Sequence, residues 1–132
     1  MSKRFFTAEE ANQLVPWLAS VFERLVPLRD TEVLHRERLD AIVLESRGNG
    51  GTSAELKLTQ QKKKLSDCIR EIRRVAQEID AAGIIVRDLD QGLVDFPHLW
   101  NGREVYLCWV CGEVQIGYWH ERDVGFTGRQ RL

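Results

Sequence analysis

Gly48-Asn49-Gly50-Gly51 separates two stretches of helical periodicity, and its reading decides the fold. Before it, apolar residues step by three and four: Ala11, Leu14, Leu18, Val21, Leu25, Leu28, then Leu39 and Ile42. Glu32 and His35 occupy the two steps between Leu28 and Leu39. After it the same spacing returns at Leu58, Gln61, Leu65, Cys68, Ile72, Val75, Ile79 and Ala82. Each stretch is a heptad seam on one helix face. Doubling the chain back at Gly50 sets the seams against each other, antiparallel. Ile42 then meets Leu58, Leu39 meets Gln61, His35 meets Leu65 and Glu32 meets Cys68. Further along, Leu28 meets Ile72, Leu25 meets Val75, Val21 meets Ile79 and Leu18 meets Ala82. Two reversed heptads can always be matched, so the glycine cluster, and not the matching, sets this register.

The ends of the helices are also marked. Thr7 and Glu10 form a T-x-x-E capping box with Phe6 just outside it. Ser53 suits the N-cap of the second helix, and Gly83 suits the residue that closes it. Pro16 and Pro27 lie inside the first helix, each removing a backbone donor. They predict kinks, or a break near Pro27. Ala11, Leu14 and Trp17 extend beyond the second helix and are left to pack on whatever follows Gly83.

After Gly83 the period changes to that of strands. Ile84-Ile85-Val86 is β-branched, Asp90-Gln91-Gly92 is a turn, and Leu93 to Phe96 reads as a short strand ended by Pro97. Asn101-Gly102 is the strongest hairpin signal in the chain. Arg103 to Cys111 and Val114 to Glu121 follow as two more strands. Gly112-Glu113 between them suits a two-residue turn. That turn pairs Trp109 with Ile116, Leu107 with Tyr118 and Val105 with His120. A three-residue turn instead brings Cys108 to the face of His120. Gly112 at the first turn position favours the two-residue register. The last segment, from Asp123, reads as a loop anchored by Phe126.

Composition bounds the rest. The chain has 132 residues, 43% of them hydrophobic, enough for one domain spanning 1–132, divided at Gly83 into hairpin and meander. Nineteen basic and twenty acidic side chains give a net charge of −1, which argues against nucleic acid or an anionic membrane as partner. Charge is nevertheless segregated. Glu23 to Glu45 holds six acids and four bases, and Lys57 to Arg74 holds seven bases and two acids. No aromatic interleaves those bases, so complementary helix flanks explain them better than a nucleic-acid groove. No apolar run is long enough to span a membrane. The first twenty residues lack the apolar core of a secretory signal. Three cysteines are too few and too odd for a disulfide framework, which predicts a reducing cytoplasm. A second helix of about 30 residues spans roughly 45 Å, and a strand of about seven residues spans about 23 Å. So small a sheet cannot cover the hairpin, which predicts a homodimer or higher oligomer through the helices.

Several residues carry chemistry. Cys108-x-x-Cys111 has knuckle spacing but lacks a second pair, and in a strand its members point to opposite faces. Asp88-x-Asp90-x-Gly92-x-x-Asp95 alternates oxygen ligands as calcium loops do, but it lacks the distal glutamate. Asp95, between Val94 and Phe96, is a carboxylate in an apolar strand and demands a partner. His120 closes a strand beside Glu121 and Asp123, as a metal ligand or general base would. Arg129 between Gly128 and Gln130 suits an anion clamp, or an ion pair with Asp95 or Asp123. His35 reads as a polar seam residue and His98 as a loop residue. Phosphate-loop, dinucleotide, zinc-protease and serine-hydrolase motifs are all absent.

The wording from Gly92 onward is more specific than these patterns. Gly92-Leu93-Val94-Asp95-Phe96-Pro97 is followed by Leu107-Cys108-Trp109-Val110-Cys111-Gly112-Glu113, Trp119-His120 and Gly125-Phe126-Thr127-Gly128-Arg129. With Phe6-Thr7-x-x-Glu10-Ala11 and Leu14-Val15-Pro16, the chain resembles the uncharacterised bacterial domain-of-unknown-function family 2203 over nearly its whole length. The resemblance implies a small soluble prokaryotic protein and brings no activity, substrate or cofactor.

The expected fold is therefore α+β: a long antiparallel helical hairpin, first helix kinked, packed on an antiparallel meander of about four strands. Two functions stay open. One is a small-anion or divalent-metal site where meander and tail meet, gathering Asp88, Asp95, His120, Asp123 and Arg129. In it His120 and Asp95 are the metal ligands and Arg129 the anion clamp. The other is a non-catalytic oligomeric adaptor with the hairpin as its interface.

Overall fold

Thr7 opens the first helix as its spacing requires. The Thr7 amide donates to Glu10 Oε1 at 2.9 Å, and the Glu10 amide donates to Thr7 Oγ1 at 3.0 Å. The helix α1 (Ala8–Ser46) then runs unbroken through both prolines, so the break expected at Pro27 does not form. Pro16 and Pro27 both sit on exposed positions. The carbonyls of Asn12 and Glu23, each deprived of a donor, lie one turn earlier on the same side, where water can satisfy them. The second helix, α2 (Thr52–Ala81), starts one residue before Ser53, with the Glu55 amide bonded to the Gly51 carbonyl. Gly83, at φ 87°, ends it in a Schellman motif: Gly83 N–H donates to Asp80 and Ile84 N–H to Ile79.

The computed structural model describes residues 3–47 and 51–132, so the fold point placed at Gly50 lies outside the described residues. The described chain forms two compact units: the chain up to Glu23 with Ala76–Leu132, and Arg24–Val75.

In the unit Arg24–Val75 the two helix stretches face each other along their seams. The Cys68 thiol donates to the Leu28 carbonyl at 3.2 Å, and burial together with the nearby Glu32 carboxylate pushes that thiol up. The Gln61 side-chain amide donates to His35 Nδ1 at 3.0 Å and to the His35 carbonyl at 3.2 Å. Gln61 thus meets His35, one turn from the Leu39 expected. Two polar seam residues answer each other, which satisfies groups that an all-apolar seam would strand.

In the other unit, Ala11, Leu18, Val21 and Ile79 are fully buried with the meander's core. Five strands lie in the order β1-β2-β3-β4-β5: β1 (Ile85–Asp88), β2 (Leu93–Trp100), β3 (Arg103–Val110), β4 (Tyr118–His120) and β5 (Gln130–Arg131). Asn101 and Gly102, both at positive φ, make the tight turn between β2 and β3. Strand β2 does not end at Pro97 but continues to Trp100. Its pairing with β1 stops at Asp95, so the missing donor of Pro97 falls on an uncovered edge. There the Pro97 carbonyl accepts from the Phe6 amide at 2.7 Å, and His98 Nδ1 donates to the Phe6 carbonyl at 2.6 Å. His98 is therefore a strand residue that ties down the N-terminus. The tail also departs from a plain loop, since Gln130 and Arg131 pair with Trp119 and Tyr118 as the fifth strand.

The register of β3 and β4 is the larger correction. Tyr106 pairs with His120, Leu107 with Trp119 and Cys108 with Tyr118, one residue away from the favoured two-residue-turn register. No tight hairpin joins them. Glu113 Oε1 caps the Val110 amide at 2.8 Å, the Glu113 carbonyl accepts from Trp109 Nε1 at 2.9 Å, and the Ile116 amide donates to Asn12 Oδ1 at 2.7 Å. These bonds hold residues 111–117 out as a loop, and pairing resumes only at Tyr118. Because strand side chains alternate, that one step changes which residues share a face. Val94, Phe96, Val105, Leu107, Trp109 and Trp119 form one face, and Trp109 lies 6.1 Å from Phe22 of α1. Asp95, Tyr106, Cys108 and His120 form the other.

Gly92 closes the β1–β2 turn at φ 71°, and a Cβ there would stand 2.5 Å from the Cys111 Cβ. Gly92→Ala combines a disfavoured backbone conformation with that clash. It is expected to lower stability by about 1–3 kcal/mol in urea denaturation, with no change in helix content.

Candidate functional site

The second face of the meander carries charge where a core would carry none. Asp95 and Cys108 are direct partners across β2 and β3, and His120 enters from β4 beside them. Relative exposure is 1% for Asp95, 0% for Cys108 and 2% for His120. A buried carboxylate must be paired. Asp95 Oδ2 accepts from Arg87 Nε at 2.8 Å, and Asp95 Oδ1 faces His120 Nε2 at 2.8 Å. Arg87 is presented by the irregularity in β1 between Val86 and Asp88 and packs 5.0 Å above the Tyr106 ring. Burial works against its charge, but the Asp95 carboxylate raises it overall.

The hydrogen bonds settle the imidazole's tautomer. His120 Nδ1 lies 2.8 Å from the Glu121 carbonyl, which can only accept, so Nδ1 carries a proton. One further proton is needed between Nε2 and Asp95 Oδ1. The pair can hold it as imidazolium and carboxylate or as imidazole and carboxylic acid, which is the property of an acid–base dyad.

Cys108 completes the cluster. One donor atom each from Asp95, Cys108 and His120 lies within 4.8 Å of the others. Burial first, then the Asp95 charge, push the Cys108 thiol up to about 12, against the opposing pull of Arg129. An unfolded cysteine, with an ordinary value of 9.0, gives up its proton earlier. Between these values the unfolded chain binds fewer protons than the folded one, so stability falls as pH rises. The loss approaches about 1.4 kcal/mol per pH unit. The groups facing the thiol are Asp95, His120, Arg129 and Glu113. Urea denaturation at about pH 8 and about pH 10 is expected to show a larger drop for the wild type than for Cys108→Ala.

Asp95 and His120 open onto a cleft of about 340 Å³ whose walls include Arg87, Leu93, Arg122, Asp123 and Phe126. Of the five residues expected to converge, the structure brings Asp95, His120 and Asp123 to this cleft. Asp88 and Arg129 are engaged elsewhere. Asp88 Oδ1 accepts from the amides of Asp90 and Gln91 at 2.9 and 3.1 Å, a turn-forming role. Arg129 grips both oxygens of Glu113 at 2.9 and 3.1 Å and stacks 3.9 Å over the Tyr118 ring. Among the described residues it pairs with neither Asp95 nor Asp123; its guanidinium also lies 4.8 Å over the Phe126 ring, which remains 41% exposed, and the β5 pairing with β4 holds the tail as well.

Arg87 and Cys108 were not among the expected site residues. Arg87 depends on an irregularity in β1 that composition does not announce. Cys108 was within reach, because the three-residue-turn register already placed it beside His120. Cys108 and Cys111 do not share a site: one is buried on the Asp95 face and the other is exposed.

Among the described residues no helix is long and apolar enough to cross a membrane. No curated protein and no solved structure matches the chain. The chain belongs to the family described as Uncharacterized conserved protein (DUF2203), whose model matches residues 4–132.

Proposed function

We propose that this DUF2203 member binds a small anionic molecule in the cleft at the meander, with the Asp95–His120 dyad as the acid–base group at its floor. The observation that carries this is the buried chain Arg87–Asp95–His120 opening into that cleft. Arg87 uses Nε on Asp95 and packs against Tyr106, and its side chain is 42% exposed, so the edge of the guanidinium turned away from Tyr106 can reach an anion. Arg122 adds a second guanidinium to the wall, while Leu93 and Phe126 supply apolar surface. Arg87 therefore takes the clamp role assigned from the sequence to Arg129. Three free cysteines support a reducing, cytoplasmic setting.

Titration of isotope-labelled, chelator-treated protein with inorganic phosphate, oxalate, malonate and succinate tests this. Amide shifts at Arg87, Leu93, His120 and Gly125 are expected, lost in Arg87→Gln and kept in Arg129→Gln. Shifts confined to Arg129 and Glu113, or none with any of the four anions, overturn the proposal.

The helical unit supports a second function, self-association as an adaptor. Val26, Val33 and Leu44 of α1 are exposed, interleaved at helical spacing with Asp30, Glu37 and Asp40. On α2, Ile69 lies among Lys62, Arg70 and Arg73 around a groove. An acidic apolar stripe and a basic one on the same unit fit a second copy of this chain, each α1 against the partner's α2. Light scattering of the wild type is expected to give a dimer or larger, and Val33→Glu a monomer. A wild-type monomer rules this out.

A further inference from the structure

Three strands deliver a carboxylate, a thiol and an imidazole to one buried point. Nothing in the fold requires that combination, since apolar residues fill the equivalent positions on the opposite face. We propose that Asp95, Cys108 and His120 bind one thiophilic divalent cation of the zinc class, with a further coordination position open to the cleft.

Orientation supports it first. His120 Nδ1–H is held by the Glu121 carbonyl, which directs Nε2 at Asp95 and Cys108. Metal-binding histidines are fixed this way, by a carbonyl or carboxylate on the nitrogen that does not ligate. Arg87 does the same for Asp95, holding Oδ2 and leaving Oδ1 turned toward Nε2. Two of the three side chains are thus aimed by neighbours that do not themselves ligate, and the pairing of β2 with β3 sets Cys108 opposite Asp95.

Charge balance supports it next. The metal-free cluster holds one proton between Nε2 and Oδ1 and one on the Cys108 sulfur. A divalent cation forms bonds to sulfur, nitrogen and oxygen and releases those two protons. The net charge of a buried region, Arg87 included, is then unchanged, so the guanidinium is no obstacle. The 2.8 Å contact between Nε2 and Oδ1 has to open by about half an ångström to span a zinc ion.

Ligand type decides which ion. Thiolate and imidazole favour zinc-class metals over magnesium or calcium, which take oxygen donors. Access is provided because Asp95 and His120 line the cleft. With three protein ligands the site has the open form of catalytic zinc centres, not the closed form of structural ones. The cation does not depend on the anion reading, which is assayed in chelator-treated protein.

The experiment is titration of chelator-treated full-length protein with cobalt(II), followed by absorption. A thiolate-to-cobalt charge-transfer band saturating at one equivalent is expected. Cys111→Ser and Cys68→Ser should keep it, and Cys108→Ser should lose it. Should Cys108→Ser fail to fold, His120→Gln replaces it, with a band at least tenfold weaker at one equivalent expected. Zinc should also raise the melting temperature of the wild type. Absence of the band in the wild type, its survival in the folded Cys108→Ser protein, an undiminished band in His120→Gln, or its loss in Cys111→Ser or Cys68→Ser overturns the proposal.

Discussion

Asp95→Ala is expected to destabilise the protein by about 3 kcal/mol, the cost of leaving a buried polar partner unmatched. The two partners will not suffer equally. The Arg87 side chain is 42% exposed and can turn to water, whereas the His120 side chain is 2% exposed and cannot. Most of the penalty therefore falls on His120 Nε2, stranded without an acceptor or donor opposite it. Asp95→Asn separates this account from simple loss of packing. The asparagine carbonyl can accept from Arg87 while its amide donates to a neutral imidazole, restoring both bonds. It should recover all but about 1 kcal/mol. Urea denaturation of the two variants at neutral pH, with slopes compared as well as midpoints, measures both values. An alanine variant as stable as the wild type would mean that the dyad contributes nothing to the fold.

Trp109→Ala should cost more, about 3–5 kcal/mol. Trp109 is completely buried, its ring lies beside Phe22 of α1, and its Nε1 donates to the Glu113 carbonyl at 2.9 Å. Truncation removes a large apolar surface, leaves a cavity under the sheet and frees the loop that Glu113 organises. Small domains have only about 5–15 kcal/mol of stability in total, so this variant is expected to approach unfolding at physiological temperature. Trp109→Phe keeps most of the packing and loses the hydrogen bond, for about 1–2 kcal/mol. The effect has a second consequence, because the Glu113 loop sets the β3–β4 register. Far-ultraviolet circular dichroism and cross-strand nuclear Overhauser contacts between Tyr106 and His120 distinguish a lost register from a uniform loosening.

The helices were legible because their signals are local. Thr7 and Glu10 are three residues apart, the seam repeats every seven, and Gly83 needs only its own backbone to end α2. Asn101-Gly102 was legible for the same reason, since both residues favour positive φ. The continuous helix excludes the break at Pro27 but not the alternative of a kink, and which of the two a proline produces depends on surroundings that are not a local property. Pro97 misled because its cost depends on whether β1 extends far enough to need the missing donor.

The site divides along the same line. Asp95 declared itself as a carboxylate among apolar neighbours, and His120 as a histidine at a strand end. Their partners did not. Arg129 looked as suitable as Arg87 in sequence, yet Glu113 takes Arg129 and the irregularity in β1 gives Arg87 to Asp95.

By itself the amino-acid sequence determined the two helices, the turn that starts the meander and the presence of unmatched polar groups within it. Tertiary structure decided which of those groups meet. The physical reason is the two-residue period of a strand. A helix face tolerates a small error in register, but in a sheet one step moves Cys108 to or from the face of His120, and here bonds from Glu113 and Asn12 determine that step.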